Sequence, residues 1–148
     1  MNGPAMTAPA LTVTGRLATI TLRRPAVINA ITPADIAIIT ELLRTAVADP
    51  AVQTILLRGE GERGFCAGGD IKVVRDLIHA SDLDVLAEFW STEYVLDHLI
   101  ATCPKPVVTI AHGLTLGGGM GLASHAAHRV VTETSRLGMP EEIGRAHV

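Results

Sequence analysis

Aromatic residues are nearly missing from this chain. Phe65, Phe89, Trp90 and Tyr94 are the only Phe, Trp or Tyr among 148 residues, so stacking on nucleobases is not on offer. Positive charge is not in excess either. A net charge of -3 and a pI near 6.0 argue against nucleic acid as a partner. Cysteine is scarce as well: Cys66 and Cys103 make no disulfide framework, which points to a reducing compartment, the cytoplasm. Every apolar run is too short to span a bilayer, and the first residues lack the basic-then-apolar pattern of a secretory signal, so no membrane partner is expected. Charged residues make up only 18% against 48% hydrophobic. That balance describes one rather apolar globular domain, long enough to bury a real core.

Glycine is plentiful where it matters. The stretch Pro104 to Leu122, PKPVVTIAHGLTLGGGMGL, opens with two prolines that belong before a strand rather than inside one. Val107-Val108-Thr109-Ile110 is a short β-branched run, apolar on both faces like a buried parallel strand. Gly113 ends it, and Gly117-Gly118-Gly119 with Gly121 precede an apolar segment from Leu122 that is expected to be helical. Such a turn presents backbone N–H groups and a favourable dipole to an anion. Gly64-Phe65-Cys66-Ala67-Gly68-Gly69-Asp70-Ile71 has the same character. Converging, the two loops could hold one developing negative charge between two N–H donors.

Elsewhere the chain alternates strands with helices. Residues 1–9 are expected to be a disordered lead-in. Leu11 to Val13 and Leu17 to Leu22 alternate with period two around Gly15-Arg16, a hairpin signal. Arg23-Arg24 reads as a solvated strand end, in preference to a contact with phosphates. Thr32 is an N-cap, with Pro33 at the first helical position and Asp35 in the first turn. Ile36, Ile39, Leu43 and Ala46 then share one face of a helix to about Ala48. Val52 to Arg58 reads as a buried strand, Asp70 to Ala80 as a helix, and Asp82 to Ala101 as another, capped by Ser81. Arg129 to Thr132 is a short strand, and an extended segment leads to Pro140-Glu141. This alternation is the pattern of an α/β fold. His125 and His128 fall on the helix expected from Leu122 at a spacing that could ligate metal, but no third ligand stands out and no metal is expected. His112 is read as fixing loop geometry, and Cys66, with no basic partner in sequence, as a small buried side chain.

FCAGGDI together with PKP, HG, GGGMGL and MPE resembles the enoyl-CoA hydratase/isomerase (crotonase) superfamily, over Leu11 to Glu141. Within it the likeness is to the 3-hydroxyisobutyryl-CoA hydrolase branch. The resemblance implies a crotonase-like ββα spiral over residues 10–141 and an acyl-CoA thioester as substrate. It implies no separate cofactor, coenzyme A being part of the substrate, and a homo-oligomeric full-length form. It assigns Gly69 and Gly118 as the oxyanion hole, where bare backbone lets a thioester carbonyl lie close. Asp70, Ile71 and Lys72, which follow the first loop, are implied to bind substrate.

Carboxylates decide the reaction. A hydratase of this superfamily straddles a water with two glutamates, and at the first of those positions this chain has Gly121. The second position holds Glu141, expected to attack the thioester or to activate water. Glu93-Tyr94 matches the glutamate that binds substrate in the hydrolase branch, so Glu93 is assigned to substrate binding. The resemblance therefore implies thioester hydrolysis in valine breakdown. A Δ3,Δ2-enoyl-CoA isomerase, which can work with a single glutamate, and a non-catalytic acyl-CoA-binding fragment are the alternatives.

The family continues past Pro140-Glu141 to a Pro-Asp pair whose aspartate is catalytic in the hydrolases, and this chain has none. Ile143-Gly144-Arg145-Ala146-His147-Val148 is the translation of ATC GGA AGA GCA CAC GTC, part of a common sequencing adapter. Residues 142–148 are therefore expected to be a non-native tail on a C-terminally truncated spiral, too short to be active by itself.

Overall fold

The structure, a computed structural model, describes residues 7–140. The expected catalytic Glu141, the tail 142–148 and most of the lead-in lie outside the described residues. Strand β1 (Ala10–Thr14) and strand β2 (Leu17–Leu22) form an antiparallel hairpin, with Thr14 opposite Leu17. Gly15, at φ +59°, supplies the positive φ that the tight turn demands. Alternation then buries Ala18, Ile20 and Leu22 on the core face.

Helix α1 (Pro33–Ala48) crosses over to strand β3 (Thr54–Gly59), which pairs in parallel with β2. A capping box starts α1 as expected. Thr32 Oγ1 accepts from the Asp35 N–H at 3.2 Å, and Asp35 Oδ2 accepts from the Thr32 N–H at 2.9 Å. Its stripe Ile36, Ile39, Leu43 and Ala46 is buried on the sheet. Thr32→Ala should cost about 1 kcal/mol, since it strips one half of this reciprocal cap. Urea unfolding of the two proteins would measure it, and an unchanged midpoint would show that the box contributes nothing.

Two helices follow, α2 (Ile71–His79) and α3 (Leu83–Ala101), before strand β4 (Val107–Ala111) pairs in parallel with β3. Ser81 does not cap α3: it sits at φ +57° and Asp82 precedes the helix without a side-chain cap. Gly113, at φ +54°, turns the chain into strand β5 (Leu114–Leu116), which leads into helix α4 (Gly118–Ser124). Strand β6 (His128–Val131) returns to the large sheet beside β4, and β7 (Arg136–Gly138) pairs in parallel with β5. The large sheet runs β1-β2-β3-β4-β6 and the small one β5-β7. The last two windings thus each give one strand to each sheet, β4 then β5 and β6 then β7. That is the ββα spiral expected from the resemblance.

The core lies between the large sheet and the helices, around Ile20, Ile55, Phe65, Leu96 and Leu122. Two expectations need correction. Helix α4 starts inside the glycine triplet, not at Leu122, and it ends at Ser124. His125 is therefore its C-cap and His128 lies in β6, so the two histidines share no helix face. Among the described residues no three His, Cys, Asp or Glu side chains converge as metal ligands. Nor is any described helix long and apolar enough to cross a membrane.

Candidate active site

The first glycine-rich loop is held by backbone on both sides. Phe65 N–H donates to His112 O at 2.8 Å and Ala67 N–H to Ile28 O at 2.8 Å, while Cys66 O accepts from Leu116 N–H at 3.0 Å. His112 Nε2 lies 2.8 Å from Gly61 O, which ties the neighbouring turn as its strand-end position suggested. Burial pushes the Cys66 thiol up to about 12, so it holds its proton and packs as a small side chain. Gly69 makes an isolated parallel bridge with Ile31. Ile31 N–H donates to Gly68 O and Ile31 O accepts from Asp70 N–H, at 2.9 and 2.8 Å. In a parallel bridge those bonds come from the flanking residues, so the Gly69 N–H faces away from Ile31.

Asp70, expected at the substrate, is committed to the fold. It caps α2 by accepting from the Lys72 N–H at 3.1 Å, and its Oδ2 lies 2.9 Å from Arg24 Nη2. Burial alone would raise its carboxyl, but the hydrogen bonds from Arg24 and from the Lys72 N–H hold it below its ordinary 3.8. Arg24 is accordingly not a solvated strand end. It also donates to Ala30 O at 2.7 Å and lies 3.6 Å from Asp35, joining β2, α1 and the first loop. Ile71 and Lys72 are exposed at the start of α2, Ile71 at 80%.

Asn29 was invisible as an organiser. It is fully buried, takes the left-handed φ of +53°, accepts from Arg24 N–H at 2.9 Å, and donates to Glu60 O and Gly64 O at 3.0 and 3.2 Å. The sequence signal for it was only an Asn in a loop, a residue type that tolerates left-handed backbone.

The second loop lies directly on the first. A Cβ on Gly68 would come 3.1 Å from Gly118 N, and one on Gly119 would fall on Cys66 O. Gly118 opens α4, a position whose N–H has no acceptor within the helix. A Cβ on Gly118 would fall on Glu93 Oε1. Glu93 reaches this point from the middle of α3 and is 9% exposed. Gly118 and Glu93 are thus brought together, with Gly68, the residue before Gly69, against Gly118, whereas Ile71 and Lys72 are exposed at the start of α2. One helical turn beyond Glu93 is Asp97, whose Oδ2 would lie 2.5 Å from a Cβ on Gly121. Trp90, Glu93, Tyr94, Asp97, Gly118, Gly121, His125 and Met139 line a cleft of about 410 Å³.

The profile of the enoyl-CoA hydratase/isomerase family matches residues 17–145. The chain belongs to the enoyl-CoA hydratase/isomerase family. Among curated relatives it is 41% identical over 122 residues to the mitochondrial 3-hydroxyisobutyryl-CoA hydrolase of Gallus gallus, covering 82% of this chain and 31% of that protein. To the Homo sapiens protein of the same name it is 40% identical, with the same coverage of 82% and 31%. Among solved structures it superposes on an enoyl-CoA hydratase from Rhodobacter sphaeroides with a TM-score of 0.86 at 43% identity, covering 90% of this chain and 40% of that one. The chain spans about a third of the length of the curated relatives it matches. The crotonase-type spiral is therefore shown both by its strand pairing and by superposition.

Proposed function

We propose that this chain carries the oxyanion-holding and acyl-binding part of an enzyme that hydrolyses 3-hydroxyisobutyryl-CoA or a close hydroxyacyl-CoA, in valine breakdown. The supporting observation is the meeting of Gly118 and Glu93 at one cleft whose facing position, Gly121, carries no acid, with Gly68, the neighbour of Gly69, lying against Gly118. Relatives about 40% identical are named 3-hydroxyisobutyryl-CoA hydrolases, which supports the same substrate here. In this reading the Gly69 and Gly118 N–H groups hold the thioester oxygen as it gains charge. Glu141 attacks the carbonyl or activates water. The C–S bond breaks, the acid leaves with one oxygen from water, and coenzyme A leaves as its thiol. Asp70, Ile71 and Lys72 follow the first loop at the start of α2, and Lys72 is the basic residue of the three. Asp70 acts through Arg24 and the cap, so its part in substrate binding is indirect. Free thiols at Cys66 and Cys103 support a reducing compartment, for which we retain the cytoplasm.

Glu93 holds the acyl-end hydroxyl rather than moving protons. Glu93→Gln in the gene's full-length product should then raise KM more than it lowers kcat. A collapse of kcat at unchanged KM would place Glu93 in the proton chemistry instead. The function itself is tested by supplying 3-hydroxyisobutyryl-CoA and a 3-enoyl-CoA to that product. Thiol release from the first, without double-bond migration in the second, is expected. The reverse pattern would establish the isomerase.

A further inference from the structure

Asp97 has no structural occupation that accounts for it. It is 7% exposed, in the C-terminal part of α3, and its Oδ1 has no hydrogen-bond partner among the described residues. His125 is the one basic side chain within ion-pair distance among the described residues, but its Nδ1 is 4.0 Å from Asp97 Oδ2 and only 2.7 Å from Gly121 O. The ring proton is therefore spent on the carbonyl. Burying a carboxyl without partners is costly, and an apolar residue would pack there at no such penalty. Asp97 nevertheless lines the cleft, one turn along α3 from Glu93 and on the same face. The space it reaches into exists because position 121 is glycine: a side chain there would collide with Asp97 Oδ2.

We propose that Asp97 is a second acyl-end recognition residue, accepting a hydrogen bond from a hydroxyl on the acyl chain and selecting hydroxyacyl over plain acyl thioesters. The inference rests on the reading that this cleft takes the acyl end of a hydroxyacyl-CoA thioester, and it adds a second residue, beside Glu93, that reads the hydroxyl. A buried carboxylate short of hydrogen bonds calls for a donor, and a hydroxyl in the cleft supplies one proton to it. Glu93, Tyr94 and His125 are the other titratable groups lining it. A site built to bond a hydroxyl rejects the analogue without one, because its buried acceptor is then left unpaired.

The test is equilibrium binding, by calorimetry, of two thioether analogues of coenzyme A to the gene's full-length product. One carries the 3-hydroxyisobutyryl skeleton and the other the isobutyryl skeleton, each with methylene in place of the carbonyl. Neither has a scissile bond, so the ratio of Kd values is read whether or not the protein hydrolyses thioesters. The hydroxylated analogue should bind more tightly, and Asp97→Leu should shrink that preference on the order of tenfold. Asp97→Ala carries the same test should leucine fail to fold. A purely structural Asp97 would move both affinities together and leave the ratio unchanged, which would overturn the proposal. Equal binding of the two analogues to the parent protein would overturn it as well. Binding of neither would sink the acyl-CoA reading of the cleft along with it.

Discussion

If the proposed hydrolase reading holds, replacing Gly118 by proline in the gene's full-length product should cut thioester hydrolysis by a hundredfold or more, and alanine at the same position should do less harm. Both substitutions add a Cβ that falls on Glu93 Oε1, so both push the Glu93 carboxylate off its place. Only proline also removes the backbone N–H. Position 118 is the first residue of α4, where proline is well tolerated because that N–H has no helical acceptor. The fold should survive both changes. Losing one oxyanion donor costs about 3–4 kcal/mol of transition-state stabilisation, or about 10²–10³ in kcat. The proline-to-alanine ratio therefore isolates the donor from the displaced carboxylate. Folding is checked by the thermal melt and turnover by thiol release. Equal rates in two folded variants would remove Gly118 from the oxyanion hole.

Asp97→Asn will stabilise the protein at neutral pH by about 3 kcal/mol, and the gain will vanish in acid. Burial raises the Asp97 carboxyl from its ordinary 3.8 to about 6, and the charge of nearby His125 opposes this only in part. Between those two values the folded protein keeps a proton that the unfolded chain has already released. Stability therefore falls as pH rises through this window and is level above it. At about 1.4 kcal/mol for each pH unit of displacement, the whole effect is about 3 kcal/mol. Asparagine keeps the shape and cannot ionise, so it escapes the penalty. Urea unfolding at pH 4, 5.5 and 7.5 should show the variant's advantage growing with pH. A pH-independent difference would mean that Asp97 ionisation is not its source, and a loss of stability at pH 7.5 would mean that the carboxylate has a partner. A group that destabilises the fold while lining the cleft is the trade expected where a residue is kept for binding.

Local chemistry was legible from the residues alone. The hairpin at Gly15-Arg16, the Thr32/Asp35 capping box and the buried strand at Val107 each depend on neighbours in sequence, through turn geometry, capping and alternation. The two glycine-rich loops could be singled out for the same reason, and their motif marked the family. What lay beyond reach depends on contacts made far along the chain. Arg24 looked like a strand end because its partners Asp35 and Asp70 are brought to it only by the crossover of α1 and the return of the first loop. Asp70 matched a substrate-binding motif, yet its carboxylate caps α2 and pairs with Arg24. Glu93 and Asp97 sit four residues apart on one helix, which the sequence shows, but a solvated face and a buried one have the same spacing. Packing α3 against α4 settled it: Gly118 and Gly121 have no side chains, so the two carboxylates occupy the space above them. A missing Cβ on one helix thus sets the burial of an acid on another, and burial is what raises that acid's carboxyl.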